Sequence, residues 1–159
     1  MILNRLEFIA MNNPIRSAIQ RRLEGPRLRK MGGAISGGRA LEIGCGRGVG
    51  AEIILNQFGA SQVDAIDLDP RMVRRAATRL RRRPVFVSLG DATQLKAEEG
   101  SYDAVFDFGI IHHVPDWRKS LAEVFRVLKP GGRFFSEEML RDFITGPLWR
   151  RLLVHPQED

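Results

Sequence analysis

The strongest candidate for a ligand-binding site is a glycine-rich stretch, ALEIGCGRGVGAEI, at residues 40–53. It has four glycines within seven residues, directly after a short apolar run. Glycine is used where the chain takes a positive φ angle or where a ligand must approach the backbone closely. Gly46, Gly48 and Ala51 match the G-x-G-x-x-[GA] fingerprint of loops that bind dinucleotides. Asp67 lies 19 residues after Gly48, where a carboxylate can accept hydrogen bonds from ribose hydroxyls. These residues predict a site for a ligand that contains a nucleoside.

The elements that must position these residues alternate between strand and helix from residue 39 onward. Near-continuous apolar runs separated by helices are typical of a parallel sheet that is covered on both faces. The sequence therefore predicts a three-layer α/β fold, a doubly wound Rossmann-like parallel sheet, with its ligand site outside the carboxyl ends of the strands. The predicted strands are RALEIGC, QVDAIDLD, PVFVSLGDA, SYDAVFDFGII and RFFSEEML, and the predicted helices are GAEIILNQF, PRMVRRAATRLRR and WRKSLAEVFRVLKPGG.

The N-terminal part of the chain is predicted to be helical. Asn13 and Pro14 have the residue types of an N-cap and a first helical position. The helix that they begin is expected to run through about Leu23 and to end at Gly25 and Pro26. The chain is thereby divided into three predicted segments, which are a helical segment at 1–33, a cofactor-binding core at 34–137 and a C-terminal tail at 138–159.

The charged residues of the chain are dominated by arginine. The formal net charge is +6, and arginines cluster at 15–30 and at 71–84. Such clusters can attract nucleic acid or anionic lipid, or they can form a solvated helix face. The single cysteine, Cys45, predicts no internal disulfide and fits a reducing, cytoplasmic setting. No apolar run approaches the ~18–20 residues of a membrane-spanning helix, so any membrane contact is expected to be peripheral.

The glycine loop and Asp67 fit NAD and S-adenosylmethionine equally well, and further motifs separate the two. LEIGCGRG, AIDLDPRMV, GDATQL, YDAVFDFGIIHHVPDW and RVLKPGGRF follow one another in this order. With these five motifs the chain resembles the class I S-adenosylmethionine-dependent methyltransferases, in particular the small-molecule group with methyltransferase type 11-like domains. The resemblance covers roughly residues 39–135. It implies the strand order 3-2-1-4-5 and speaks against an NAD-dependent dehydrogenase.

The resemblance also implies that S-adenosyl-L-methionine is the cofactor and how the chain holds it. Glu42 and the glycine loop would surround the methionine part, and Asp67 would accept hydrogen bonds from both ribose hydroxyls. Asp91 would lie near the exocyclic amine of the adenine, and Phe108 beside the amino-acid end. The complete set implied by the resemblance is Glu42, Gly44, Cys45, Gly46, Gly48, Asp67, Leu68, Asp91, Ala92, Phe108 and Gly109.

The implied reaction is the transfer of a methyl group from a sulfonium to an acceptor by in-line displacement. The protein mainly has to hold the acceptor in line and exclude water, and it needs a base only if the acceptor loses a proton. The candidate bases are His112 and His113, which could instead have a packing or hydrogen-bonding role. Asp107 could touch the cofactor or be a buried, paired acid. No His, Cys and carboxylate cluster in the sequence predicts a bound metal.

The acceptor is expected to be a small molecule, and two alternative functions stay open. The arginine clusters alone favour RNA or protein as the acceptor, although no nucleic-acid motif accompanies them. The chain could also be a non-catalytic module that binds S-adenosylmethionine. The family fold has seven strands, and no hairpin can be read in 138–159, so the usual sixth and seventh strands are expected to be missing. The fifth strand would then have an open edge, which either the tail segment GPLWRRLL covers or a second chain pairs with in a homodimer.

Overall fold

The computed structural model of the chain describes residues 14–137, which form a five-stranded sheet with helices on both faces. The strands are β1 (Arg39–Ile43), β2 (Gln62–Asp67), β3 (Val85–Leu89), β4 (Tyr102–Asp107) and β5 (Leu128–Ser136). Neighbouring strands run parallel in the order β3-β2-β1-β4-β5. This arrangement confirms the predicted α/β fold and the strand order 3-2-1-4-5.

The helices divide between the two faces of the sheet. They are α1 (Pro14–Ile19), α2 (Gly25–Gly32), α3 (Val49–Ile53), α4 (Pro70–Leu80) and α5 (Trp117–Val127), with π-helical turns at Gln20–Glu24 and Ile54–Phe58. Residues of α2, α3 and α4 pack on one face around Phe58, Phe106 and Phe135, whose rings make edge and stacked contacts at 4.6–5.0 Å. Val124 and Val127 of α5 pack on the other face. Because both faces are covered, most side chains of the central strands β1 and β4 are buried, and the buried ones are apolar apart from Glu42 and Asp107.

Two helices begin at acidic N-cap residues. The carboxylate of Asp69 accepts a hydrogen bond from the backbone N–H of Arg71 at 2.8 Å, and Pro70 occupies the first turn of α4 as predicted. The carboxylate of Asp116 accepts from the N–H of Lys119 at 3.1 Å, so Asp116 is the N-cap of α5. These caps satisfy backbone donors that a helix leaves unpaired at its start.

The prediction that the N-terminal helix ends at Gly25 and Pro26 is wrong. The backbone stays helical through the π-helical turn and α2 to Gly32. A side chain at Gly25 would meet Gln57 Oε1 at 2.6 Å, so glycine lets this helix lie against α3 and the turn that follows it. Pro26 has no N–H to offer the carbonyl of Arg21, and the side-chain amide of Gln57 donates to that carbonyl at 2.9 Å instead. Tertiary contacts thus allow the helix to continue past two residues that usually end one.

Several strand boundaries also differ from the prediction, most of all the end of β4 and the start of β5. β4 ends at Asp107, and Ile111–His113 form a 3-10 turn, because Gly109 leaves the extended conformation with a φ of +88°. β5 begins at Leu128, ahead of the predicted start. Its register against β4 shifts within the first residues, so the Lys-Pro-Gly-Gly sequence forms an irregular part of the strand.

The C-terminal predictions concern residues outside the described ones. The tail at 138–159, its helix and the missing sixth and seventh strands therefore stay predictions. Within residues 14–137, β5 pairs only with β4 and forms one edge of the sheet, and the homodimer through this edge stays a prediction as well. None of the helices in the described part of the chain is both long and apolar enough to cross a membrane.

Candidate active site

A cavity of about 370 Å³ lies at the carboxyl ends of the central strands. A volume of this size fits a small molecule or a cofactor. The predicted cofactor residues at its wall are Glu42, Gly44, Cys45, Gly46, Asp67, Leu68, Asp91, Ala92, Phe108 and Gly109. The structure thus brings together the ends of the first four strands, as a doubly wound sheet requires. Gly48 is the member of the predicted set that does not line the cavity, since it packs against Leu80 of α4.

The glycine loop after β1 is shaped by three positive φ angles, which are +69° at Gly44, +52° at Gly46 and +83° at Gly48. A Cβ atom at Gly44 would lie 2.4 Å from Ile110, and one at Gly48 would lie 2.5 Å from Leu80. Packing therefore requires glycine at both positions. A Cβ atom at Gly46 would meet no protein atom within 4 Å. Gly46 faces open cavity, so a ligand can reach the backbone there.

Asp67 connects the end of β2 to the glycine loop. Its Oδ2 accepts a hydrogen bond from the N–H of Gly46 at 2.8 Å, and its Oδ1 accepts from the N–H of Asp69 at 2.9 Å. A carboxylate has about four lone-pair sites, so acceptor capacity remains for hydroxyl groups of a ligand. Burial raises the pKa of Asp67, and the hydrogen bonds from these backbone donors offset only part of that rise.

Glu42 is buried beneath the loop, with 2% of its surface exposed. The N–H of Ala51 hydrogen-bonds to its carboxylate, and α3 has a glycine at position 50, where a Cβ atom would lie 1.9 Å from Oε1 of Glu42. Burial raises the pKa of Glu42 well above its usual range, and the nearby charge of Asp67 raises it further. Oε2 of Glu42 has no hydrogen-bond partner among the described residues. A cationic or N–H group of a ligand in the cavity would satisfy this oxygen.

The far side of the cavity is formed by the segments after β2 and β3. Leu68 is 43% exposed and presents an apolar side chain there. Oδ1 of Asp91 accepts hydrogen bonds from the N–H and the hydroxyl of Thr93, at 2.8 and 2.9 Å. These bonds fix the turn that carries Asp91 and Ala92 to the cavity wall. An apolar surface beside a positioned carboxylate can bind a flat heterocycle that carries an amine.

The sequence left two alternatives for Asp107, contact with the cofactor or a role as a buried, paired acid, and the structure shows the second. It is fully buried and does not line the cavity. Its Oδ1 accepts from the N–H of Ile110 at 2.8 Å, and its Oδ2 accepts from the hydroxyl of Ser136 at 3.0 Å. Asp107 therefore holds the turn after β4 against the end of β5, which places Phe108 and Gly109 at the cavity.

The structure places one of the two histidine candidates at the cavity. His113 lines it and His112 does not. The two rings lie next to each other, with centroids 4.0 Å apart. Burial lowers the pKa of His112, with a smaller opposing effect from Asp107, so this imidazole is neutral at neutral pH. Position 113, rather than 112, can reach a ligand.

Sequence reasoning missed the wall that the N-terminal helix contributes. Arg16, Ser17 and Gln20 line the cavity from α1 and the turn after it, and Arg47 lines it from the glycine loop. The guanidinium of Arg47 donates a hydrogen bond to the hydroxyl of Ser17, which connects the loop to α1. The spacing of Ser17 and Gln20 is compatible with one helix face, but no local signal says that this face meets the carboxyl end of the sheet.

Together, the fold and the site define the class of the protein. A doubly wound parallel sheet with a glycine loop after its first strand, and acids after the next two, is a Rossmann-like domain of the kind that binds nucleoside-containing cofactors. The chain belongs to the methyltransferase domain family, since the model of that family matches residues 41–136.

Known proteins that are similar to this chain are named as methyltransferases. A probable phthiotriol/phenolphthiotriol dimycocerosates methyltransferase 2 of Mycobacterium ulcerans is 36% identical over 63% of this chain and 39% of its own length. Phosphoethanolamine N-methyltransferase 2 of Caenorhabditis elegans is 35% identical over 67% of this chain and 25% of its own length. The crystal structure of an S-adenosylmethionine-dependent methyltransferase from Mesorhizobium loti is 29% identical, with a TM-score of 0.62, over 69% of this chain and 49% of that one. The chain thus spans well under half the length of these curated relatives.

Proposed function

We propose that the chain binds S-adenosylmethionine in this cavity and transfers its methyl group to a small-molecule acceptor. The observation that carries the proposal is the hydrogen bond from the N–H of Gly46 to Asp67. It places a carboxylate with remaining acceptor capacity next to a backbone position that faces the open cavity. Membership of the methyltransferase domain family supports this choice over NAD. The proposal covers the cofactor, the reaction and the acceptor class.

The described residues fit each part of the cofactor. Asp67 has acceptor capacity for the two ribose hydroxyls, and Glu42 has a buried oxygen that the ammonium of the methionine part would satisfy. Leu68 and Asp91 would bind the adenine ring and its amine. Phe108, which is 5% exposed, would close the amino-acid end and exclude water.

The cofactor supplies a methyl group on a positively charged sulfur, which leaves as a neutral thioether when a nucleophile attacks the carbon in line. The protein's task is therefore to hold the acceptor and to keep water out. For an acceptor that loses a proton, His113 is the residue that would receive it, because its side chain lines the cavity. His112 would act as a positioning residue through its contact with the ring of His113.

A small and partly apolar acceptor fits the shape of the site. The cavity is lined by residues of α1, of the segments after β2 and β3 and of the turn after β4, and an acceptor would lie among them. One relative is named for a dimycocerosate lipid and another for phosphoethanolamine, neither of which is a macromolecule. An RNA or protein acceptor remains the alternative, favoured by the arginines near the cavity.

Calorimetric titration of the full chain with S-adenosylmethionine and S-adenosylhomocysteine tests the cofactor. Wild type should bind both, and Asp67→Asn should weaken binding at least about tenfold, because a charge-assisted hydrogen bond is worth about 1.5–3 kcal/mol. Asp103→Asn is the matched control, since Asp103 pairs with Lys129 and Arg39 and lies outside the cavity. A wild-type chain that binds neither ligand, or equal losses in both variants, would contradict the proposal.

A further inference from the structure

The N-terminal helix presents an unusual combination of side chains on its outer face, which we define as the exposed residues of 14–32. Ile15 is 72% exposed, Ile19 39%, Leu23 50% and Met31 84%. Arg22, Arg27 and Lys30 are exposed among them. Apolar and cationic side chains therefore share one solvent-facing surface.

The outer face carries no acidic side chain. The acid within residues 14–32 is Glu24, which pairs with Arg16 and lies close enough to Glu137, directly after β5, to raise the pKa of that acid. Glu24 thus faces the sheet. A helix that is apolar and cationic outside, with its acid on the inner side, has the composition of a helix that lies in a membrane interface.

The inner face of the same helix is part of the cavity wall. Arg16, Ser17 and Gln20 line the cavity, while Ile15 and Ile19 lie on the outside of the same two turns. A helix with its side chains is about 10–12 Å across. Whatever binds the outer face therefore lies about one helix diameter from the cavity.

A second group of cations extends the positive surface from this helix towards α4. Arg21 and Arg79 both pair with Glu52, at 2.6 and 2.8 Å. Arg75, Arg79 and Arg21 lie close enough to Arg47 that their charges, together with burial, lower its pKa. Two of these four arginines, Arg21 and Arg79, pair with Glu52, and the group as a whole gives a net positive surface next to the helix.

We propose that the outer face of the N-terminal helix docks on an anionic lipid surface and thereby holds the mouth of the cavity at that surface. The isoleucines and Leu23 would enter the region between headgroups and acyl chains, and the arginines would bind lipid phosphates. Nucleic acid fits this face less well. Bases stack on aromatic side chains, and residues 14–32 contain none, whereas exposed isoleucines have no partner on an RNA backbone.

Vesicle co-sedimentation of the full chain tests this docking without any cofactor, so it is independent of the proposed methyl transfer. The chain should bind vesicles of phosphatidylcholine with phosphatidylglycerol, and bind much more weakly to phosphatidylcholine alone. The variant Arg22→Gln/Arg27→Gln should bind about 30-fold more weakly, at about 1 kcal/mol per arginine near an anionic surface. The variant Ile15→Gln/Leu23→Gln should bind the anionic vesicles at least about tenfold more weakly, because it inserts less apolar surface.

Phe125→Gln is the matched control, because Phe125 is 67% exposed on α5, on the other face of the sheet. It should bind as wild type does, and circular dichroism of every variant should match wild type. Failure of the wild type to bind anionic vesicles would overturn the proposal. Equal binding by Ile15→Gln/Leu23→Gln would do so too. Binding to single-stranded RNA that depends on the arginines and not on Ile15 or Leu23 would assign the face to nucleic acid instead. A dimer in sedimentation that Ile15→Gln/Leu23→Gln dissociates would assign it to a second copy.

Discussion

Replacing Gly46 by alanine separates the two uses of glycine in the loop after β1. The new Cβ atom would meet no protein atom within 4 Å, so packing does not oppose it. The φ angle of +52° does oppose it, because a left-handed conformation costs a residue with a Cβ atom about 1–2 kcal/mol. The methyl group would also occupy the space in which a ligand reaches the backbone.

Gly37 is a control with the same backbone cost. Its φ angle is +77°, a Cβ atom there also meets nothing within 4 Å, and it does not line the cavity. Gly46→Ala and Gly37→Ala should each lower the free energy of unfolding by about 1–2 kcal/mol. For a chain of this length, that corresponds to a fall in Tm of about 2–8 °C in scanning calorimetry.

The two variants should differ in ligand binding. Overpacking of a close contact costs about 1–3 kcal/mol, so Gly46→Ala should raise the Kd for S-adenosylmethionine about 5- to 150-fold. Gly37→Ala should bind as wild type does. Wild-type affinity in Gly46→Ala would refute the inference that the ligand approaches the backbone at this glycine. Equal losses in both variants would show that binding responds to loop stability rather than to space in the cavity.

Further predictions concern the acids and the π-helical turn. Gly50→Ala should destabilise the chain by about 1–3 kcal/mol in urea, since its Cβ atom would lie 1.9 Å from Oε1 of Glu42. Glu42→Gln should raise the stability at neutral pH, because burial disfavours the ionised form of this acid, and should weaken binding of S-adenosylmethionine. A less stable Glu42→Gln chain would contradict this account. Gln57→Leu should cost about 1–3 kcal/mol by leaving the Arg21 carbonyl without its donor. Gln62→Leu, which loses only a 3.4 Å contact with Asp64, should change stability by less than about 0.5 kcal/mol. Burial and Glu24 raise the pKa of Glu137 to about 8, so between its usual value of 4.5 and 8 the unfolded chain binds fewer protons than the folded one. Stability should therefore fall as the pH rises through this window, and Glu137→Gln should flatten the fall in urea titrations at several pH values.

The sheet could be predicted from the sequence because its signals are local. Each strand is a short apolar run, each turn after a strand carries glycine or an acid, and the parallel arrangement places those turns at one edge. A local signal also identified the start of α4 at Pro70. Asp67 and Gly46 lie 21 residues apart, and their placement at the same edge follows from the topology alone.

Features decided by distant contacts could not be predicted in this way. Gly25 and Pro26 are a strong local stop signal, and Gln57, which lies 36 residues from Arg21, overrides it with a single hydrogen bond. The same holds for the helix wall of the cavity, because its docking depends on contacts with the glycine loop and the end of β5. Asp107 is an isolated acid in the sequence, and only the positions of Ile110 and Ser136 show that it is paired.

The π-helical turn at Gln20–Glu24 has a consequence for how this region can vary. A turn of this kind holds one residue more than an α-helical turn. The half of the helix before it faces the cavity, and the half after it packs against the Ile54–Phe58 turn and β5. The two halves are therefore offset by one position from a continuous α-helix. Deleting one residue inside the turn would restore regular geometry, and we expect both halves to keep their contacts. Inserting one residue would instead move the helix further from regular geometry. Within residues 14–32, we therefore expect a one-residue deletion to be tolerated at this turn, because each half of the helix keeps the same side chains on the same face.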